Sequence, residues 1–253
     1  MATGRTHLRF SRAYIDGYDM SGYSRSFGPL GCTFDEGTDD SIDKSVKGIM
    51  PGNAVVSMGA LNGLFDNTAT SGLHVIMNGA GVKRDVMIAV GIQAVPANND
   101  PVFAYQFLQG AYQGDPGANP VTATIPFANA SAYGSALGYA RPWGVLLHAK
   151  AAATDVNSST GLDQVAQSTK GGFMMYHVFA GDGNATIKVQ DADTNVDGSF
   201  SDLLTSGVLD CTAVQHGVVT LARDATVEEF VRWQVVLNTA NTVTFALSWH
   251  RGL

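Results

Sequence analysis

Apolar side chains recur at every second position over long stretches of this chain, and that period fits a pleated strand far better than a helix. In VTFALSW, residues 243–249, Val243, Phe245, Leu247 and Trp249 fall on one side, with Thr244, Ala246 and Ser248 on the other. FVRWQVVL does the same with Val231, Trp233, Val235 and Leu237. Between these runs lies NTAN, whose turn formers predict a short hairpin connection. GFMMYHVFAG, residues 172–181, is largely apolar on both faces, as a strand covered on both sides should be. ATIKVQ turns Ile187 and Val189 inward and Lys188 outward. Earlier in the chain, AVVSMGALNGLFD, RDVMIAVGIQA, PVFAYQFLQGAY and VTATIPFANAS read as strands too.

Two segments break the pattern. DDSIDKSVKGIM, residues 39–50, carries Ile42 and Val46 at helical spacing, with Asp early and Lys late as a helix dipole favours. SGLHVIMNG predicts a second short helix with Ser71 as N-cap and Gly79 as terminator. The expected fold class is therefore all-β with one or two short helices. The 29 glycines suit the many turns such a fold needs.

All eight prolines lie at or before Pro142, and GYARPWG around it marks the expected passage between two β-sandwich or barrel units, residues 1–140 and 141–253. The polar, small-residued segment 151–172 predicts an exposed loop or arm. The 253 residues suffice for either one large β domain or two modest ones.

Net charge is −7 and divides evenly: residues 1–140 hold 8 basic and 11 acidic side chains, residues 141–253 hold 7 and 11. No basic stripe offers itself to nucleic acid, and the Arg5, Arg9 and Arg12 cluster reads as a solvated end. Cys32 and Cys211 cannot form a Cys-only metal site and read as buried free thiols. The start, MATGRTHLRF, lacks the apolar stretch of a signal peptide, and no run approaches the ~20 residues of a membrane helix. The glycosylation-type matches at Asn129, Asn157 and Asn184 mean little without a secretory signal.

The stretch DADTNVDGSFSDLL, residues 191–204, is the one candidate ligand loop. Oxygen ligands recur at Asp191, Asp193, Asn195 and Asp197 before Gly198, as in a calcium loop. Counted from Asp193, however, the twelfth position is Leu204 where a sensor loop needs a bidentate Glu, and a strand, not a helix, leads in. The preferred reading is a turn in which Asp and Asn cap their own backbone and Gly198 supplies a positive φ. Elsewhere the six histidines are scattered, and His177, inside an apolar strand, reads as a satisfied core or interface residue. No nucleophile elbow, phosphate loop or dinucleotide fingerprint is present, so no catalytic residue and no cofactor is expected.

The run from ATIKVQDADTNVDGSFSDLL through VTLARDATVEEFVRWQVVL to TVTFALSWHR resembles the C-terminal β unit of many bacteriophage virion proteins. YIDGYDMSGYSRSF, GALNGLFDNTATSGLHVIM, DPVFAYQFLQGAY and VTATIPFANAS resemble pieces of the phage major tail (tail-tube) protein family. That resemblance implies a non-enzymatic, tail-tube-like β protein of the virion, made in the host cytoplasm. Its subunits form six-fold rings, or trimers of duplicated subunits with the same apparent symmetry, that stack with other tail proteins into a conduit for DNA ejection. Genomic DNA would pass an acidic lumen without specific binding, and no membrane is involved. Sheet edges would serve as joints between subunits, with an inter-ring arm near residues 39–50. The alternatives are capsid decoration, a neck component, or a carbohydrate-binding module on the virion surface. A sugar module should expose a shelf of aromatics, yet Trp233 and Trp249 fall on inward faces.

Overall fold

The computed structural model describes residues 8–39, 48–92, 94–128, 141–154 and 160–252, with the backbone alone for 35–39 and 48–54. The fold is all-β. The largest sheet is built from β1 (Ser11–Ile15), β2 (Tyr18–Asp19), β7 (Val82–Val90), β8 (Pro101–Gln109), β12 (Trp143–Ala153), β14 (Gly172–Gly181), β17 (Gln215–Thr220) and β19 (Val243–Arg251). Their order is β17-β14-β19-β12-β8-β7-β1-β2, with β11 (Phe127–Ala128) pairing onto β8 as the ninth strand. Two four-stranded sheets lie against it. One runs β3 (Ser24–Phe27), β6 (Leu61–Leu64), β10 (Thr122–Ile125), β9 (Gln113–Asp115). The other runs β13 (Leu162–Asp163), β18 (Phe230–Leu237), β15 (Asn184–Ala192), β16 (Ser201–Asp210). A separate two-stranded ribbon pairs β4 (Leu30–Asp39) with β5 (Gly48–Met58).

Two apolar cores result, and three strands of the central sheet serve both. Phe173 and Met175 of β14 belong to the first core, with Ile15, Val86, Ile88, Leu61 and Ile125. Met174, Tyr176 and Val178, the alternate residues of the same strand, belong to the second core, with Ile187, Trp233 and Val235. In β19, Ala246 joins the first core while Phe245, Leu247 and Trp249 join the second. The other side of VTFALSW is thus also covered: Ala246 and Ser248 are fully buried. The central sheet crosses residue 140, since β8 pairs with β12 through Phe103 and Trp143. Arg141 and Pro142 are tied into it as well, by Arg141 N–H to the Arg251 carbonyl and Ala104 N–H to the Pro142 carbonyl.

The NTAN segment is not a hairpin. β18 lies in an outer sheet and β19 in the central one, so residues 238–241 arch from one layer to the other. Residues 182–183 make a parallel arch from β14 to β15. The two arches lock together. Asp182 accepts hydrogen bonds from the Asn241 and Thr242 backbone and the Asn241 side chain, and the Asn184 carbonyl takes the N–H groups of Asn238, Thr239 and Ala240. Those donors hold the Asp182 carboxyl down to about 2.

One expected helix exists, α1 (Leu73–Met77), burying Leu73 and Met77. Its N-cap is Gly72 rather than Ser71, without a side-chain cap bond, and Asn78 is its C-cap with Gly79 directly after it. The buried Gln109 side chain donates to the Met77 and Gly79 carbonyls instead, stapling the helix end to β8. The helix expected over 39–50 fails where it can be seen: Asp39 and Gly48–Met50 are strand residues, and 40–47 lie outside the described residues. Segment 151–172 is less free than expected. β12 runs to Ala153, β13 pairs with β18, Ser168 bridges Val227, and Arg251 donates to the Gln164 and Ala166 carbonyls. Its residues 155–159, and Arg5, Asn129 and Asn157, lie outside the described residues.

Candidate functional site

Asp16 and Gly17 form the two-residue turn of the β1–β2 hairpin, pairing Ile15 with Tyr18. Their φ angles, 49° and 83°, are the left-handed pair that such a tight hairpin requires, and Asp-Gly is a favoured sequence for it. The turn is pressed against the second half of the chain. A Cβ on Gly17 would sit 3.0 Å from the Gln215 carbonyl and 3.3 Å from that of Val178. Here the two ends of the central sheet curl together, and polar side chains seal the seam.

The Asp16 carboxylate accepts from Arg84 at 2.8 Å and from the Asp85 backbone at 2.9 Å. Arg84 also donates to the Gln109 side chain and the Ile76 carbonyl. Asp85 accepts from Gln106 at 2.7 Å and pairs with His216 of β17 at 2.8 Å. Burial pushes the Asp85 carboxyl up, but the bonds from His216 and Gln106 prevail and hold it below the usual carboxylate range. Burial likewise works against charge on His216, and Asp85 and Asp16 overcome it, so its pKa is raised. His177, next to it on β14, is fully buried. Its Nδ1 accepts the Gly17 N–H at 3.0 Å, while Nε2 has no partner. Burial drives its pKa down to about 3 despite the pull of Asp85. His177 is thus an interface histidine, but only half satisfied.

Beside the seam lies an open cleft of about 660 Å³, lined by Tyr18, Asp19, Tyr23, Lys150, Phe179 and Thr212 among others. Asp19 and Lys150 pair across it at 2.7 Å, and the Lys150 ammonium sits 4.6 Å from the centre of the Phe179 ring.

The acidic loop does not converge. Asp191, buried in β15, accepts the Glu228 N–H, and burial raises its pKa. Asn195 is bonded to both the N–H and the carbonyl of Gly161. Asp197 pairs with Arg232 at 2.5 Å, and Asp193 is touched by the Thr194 hydroxyl at 3.4 Å. Gly198 lies within a single 3-10 turn, Asp197–Ser199. Among the described residues, no three His, Cys, Asp or Glu side chains converge as a metal site requires. Cys211 is buried and Cys32 half-buried; both are free thiols. Asp16, Asp85 and His216 were not singled out from the sequence. The Asp-Gly turn was the one local signal for any of them.

No protein-family model and no curated protein matches the chain. Among solved structures it is similar to the SPP1 Dit (gp 19.1) protein, described as a paradigm of the hub adsorption apparatus in phages infecting Gram-positive bacteria. The TM-score is 0.35 at 9% identity, over 96% of this chain and 99% of that one. A likeness of that size carries no functional argument. No helix among the described residues is long and apolar enough to cross a membrane.

Proposed function

We propose that the chain is a non-enzymatic structural component of a bacteriophage virion, and specifically a tail-tube subunit that self-associates into stacked rings forming the conduit for DNA ejection. Its resemblance in sequence to tail-tube proteins supports this reading. The observation that carries it is the β4–β5 ribbon. Its strands, ten and eleven residues long, pair only with each other among the described residues. The foot of the ribbon packs into the first core through Val56 and Met58, but among the described residues its two edges stay open, and a neighbouring subunit can complete them. Phe34, 49% exposed on the ribbon, supplies an apolar contact. Residues 1–140 and 141–253 then act as two units built round the two cores and sharing one sheet, the first forming tube wall. Genomic DNA and other tail proteins are the remaining partners.

Electron microscopy of the purified protein tests this. Rings or tubes are expected, and replacing residues 36–51 by a short turn should abolish them while leaving a folded monomer. A chain that stays monomeric at high concentration by light scattering overturns the proposal. A sugar-binding role on the virion surface has one feature in its favour: a ladder in which exposed Phe65 and half-buried His74 and Tyr112 stand with centroids 4.8 and 5.3 Å apart. Glycan binding lost on Phe65→Ala would support that second reading.

A further inference from the structure

Among the described residues, no backbone ladder joins the two ends of the central sheet. The polar joint comprises the Gly17 N–H on His177, His216 set between the Asp85 carboxylate of β7 and, at 3.7 Å, that of Asp16, and the part-exposed Asp19–Lys150 pair, with Tyr14 packed edge-on against Phe179. Because Nδ1 of His177 accepts, the proton of the neutral ring must sit on Nε2, where nothing receives it. The groups facing this ring are Tyr14 of β1, Phe179 of β14 and His216 of β17, at centroid distances of 6.3, 6.5 and 6.5 Å. Behind them stand Asp16, Arg84 and Asp85, with Asp19 and Lys150 on the far side of Tyr14 and Phe179. A proton added at Nδ1 removes the acceptor for Gly17 and places a fully buried cation beside His216, whose own side chain is 39% exposed. Asp85 is already engaged by His216 and Gln106.

We propose that the β1–β2 hairpin is a proton-released latch, held on the second half of the chain by His177 and His216 and let go when His177 is protonated. Opening lifts the Asp16–Gly17 turn from β14 and β17 and uncovers Tyr14, His177 and Phe179. The direction follows from linkage. His177 is held near 3 when the latch is closed and returns toward 6.5 when it opens, so opening gains about tenfold per pH unit as pH falls below 6.5. His216 acts in the opposite sense. Its grip on Asp85 is complete below its ordinary value of 6.5 and is lost as pH rises through its raised value. Asp85 keeps its charge throughout that window.

The test is hydrogen exchange of the Gly17 amide in the full chain, read by nitrogen-15 NMR from pH 7.5 to 5.5, above the range where loss of the other buried histidines threatens the whole fold, and corrected for intrinsic rates. The amides of Ile88 and Leu247 report the strand centres. Gly17 should lose about tenfold protection per pH unit below 6.5, ahead of both reference amides. In His177→Gln, whose side-chain oxygen can still accept the Gly17 N–H but cannot titrate, that pH dependence should vanish. Unchanged protection of Gly17, loss in step with the strand centres, or the same pH dependence in His177→Gln overturns the latch. Should that variant not fold, the unmodified chain alone decides between local and global loss.

Discussion

The imidazole of His148 lies flat on the ring of Phe245, with centroids 4.0 Å apart and planes 8° from parallel. Irregularities in the β12–β19 register on either side of His148 turn both Leu147 and His148 toward the second core. There the Trp233 ring meets the imidazole edge-on at 4.4 Å, and Nδ1 bonds the Phe245 carbonyl at 3.1 Å. Burial holds this histidine at about 4. His250 repeats the device in the first core: it stacks on Phe173 at 4.3 Å, and burial holds it at about 3.

Acid should therefore unfold the protein well before its carboxylates titrate. His148, His177 and His250 have folded pKa values below their unfolded value of 6.5, so the stability they provide is present above 6.5 and is lost as pH falls toward 4 and 3. Each contributes roughly 1.4 kcal/mol per pH unit in that window, so together they remove about 4 kcal/mol per unit at the steepest. Against a net stability of about 5–15 kcal/mol, a loss in that direction is large enough to weaken the fold as pH falls below 6.5. Urea midpoints measured from pH 7.5 to 4.5 should fall continuously. A midpoint independent of pH down to 4.5 contradicts neutral burial of these rings.

Trp233 and Phe245 stand at 5.8 Å, edge to face, one from each of the layers joined by the 238–241 arch. Replacing either by Ala should cost about 3–5 kcal/mol, from lost burial plus the cavity left behind. Denaturant titration of each variant measures this directly. A loss below about 1 kcal/mol would mean that the two layers are not packed through these rings.

The strand faces were legible because burial on one side of a pleat writes itself as alternation: Val231, Trp233 and Val235 all turn inward. The layer crossing at NTAN was not legible. Its composition suits a hairpin, and what makes it an arch is Asp182, 59 residues away from Asn241. Nor does alternation reveal a strand covered on both sides when the second side carries small residues such as Ala246 and Ser248. The charge order of 39–50 fits a helix on its own, yet Gly48–Met50 gain a ladder partner in β4 that local propensity cannot foresee. The seam was the least visible feature. Asp16, Asp85 and His216 come from distant parts of the chain, and no sequence period brings them together.

Gly28 and Gly59 face each other at the foot of the ribbon, where a Cβ on Gly28 would lie 2.4 Å from the Gly59 Cα. Their N–H groups bond the Ala60 and Pro29 carbonyls, fixing where the ribbon leaves the body. Gly59→Ala must push the two backbones apart and re-aim the ribbon. The expected outcome is a protein that still melts cooperatively, with a modest drop in Tm, but no longer forms the rings or tubes that the proposed function expects. Assembly at the unmodified level would separate the ribbon's aim from self-association.

Arg232 decides what the acidic loop is for. Its side chain is 8% exposed, lies 4.0 Å over the Phe200 ring, and donates to Gln190 as well as to Asp197. Asp197 is 88% exposed, so its pairing with Arg232 is heavily screened by solvent. Asp191 accepts the Glu228 N–H and Asn195 is bonded to Gly161, so these two side chains brace the corner. Replacing Asp193 and Asp197 together by Ala should therefore lower stability by less than about 1 kcal/mol. Millimolar calcium should leave Tm unchanged in both the parent and the variant. Arg232→Ala should cost more than that double replacement, because it strips the cover from Phe200 and a donor from buried Gln190. A calcium-dependent rise in the parent's Tm that disappears in the double variant would instead make residues 191–197 an ion site.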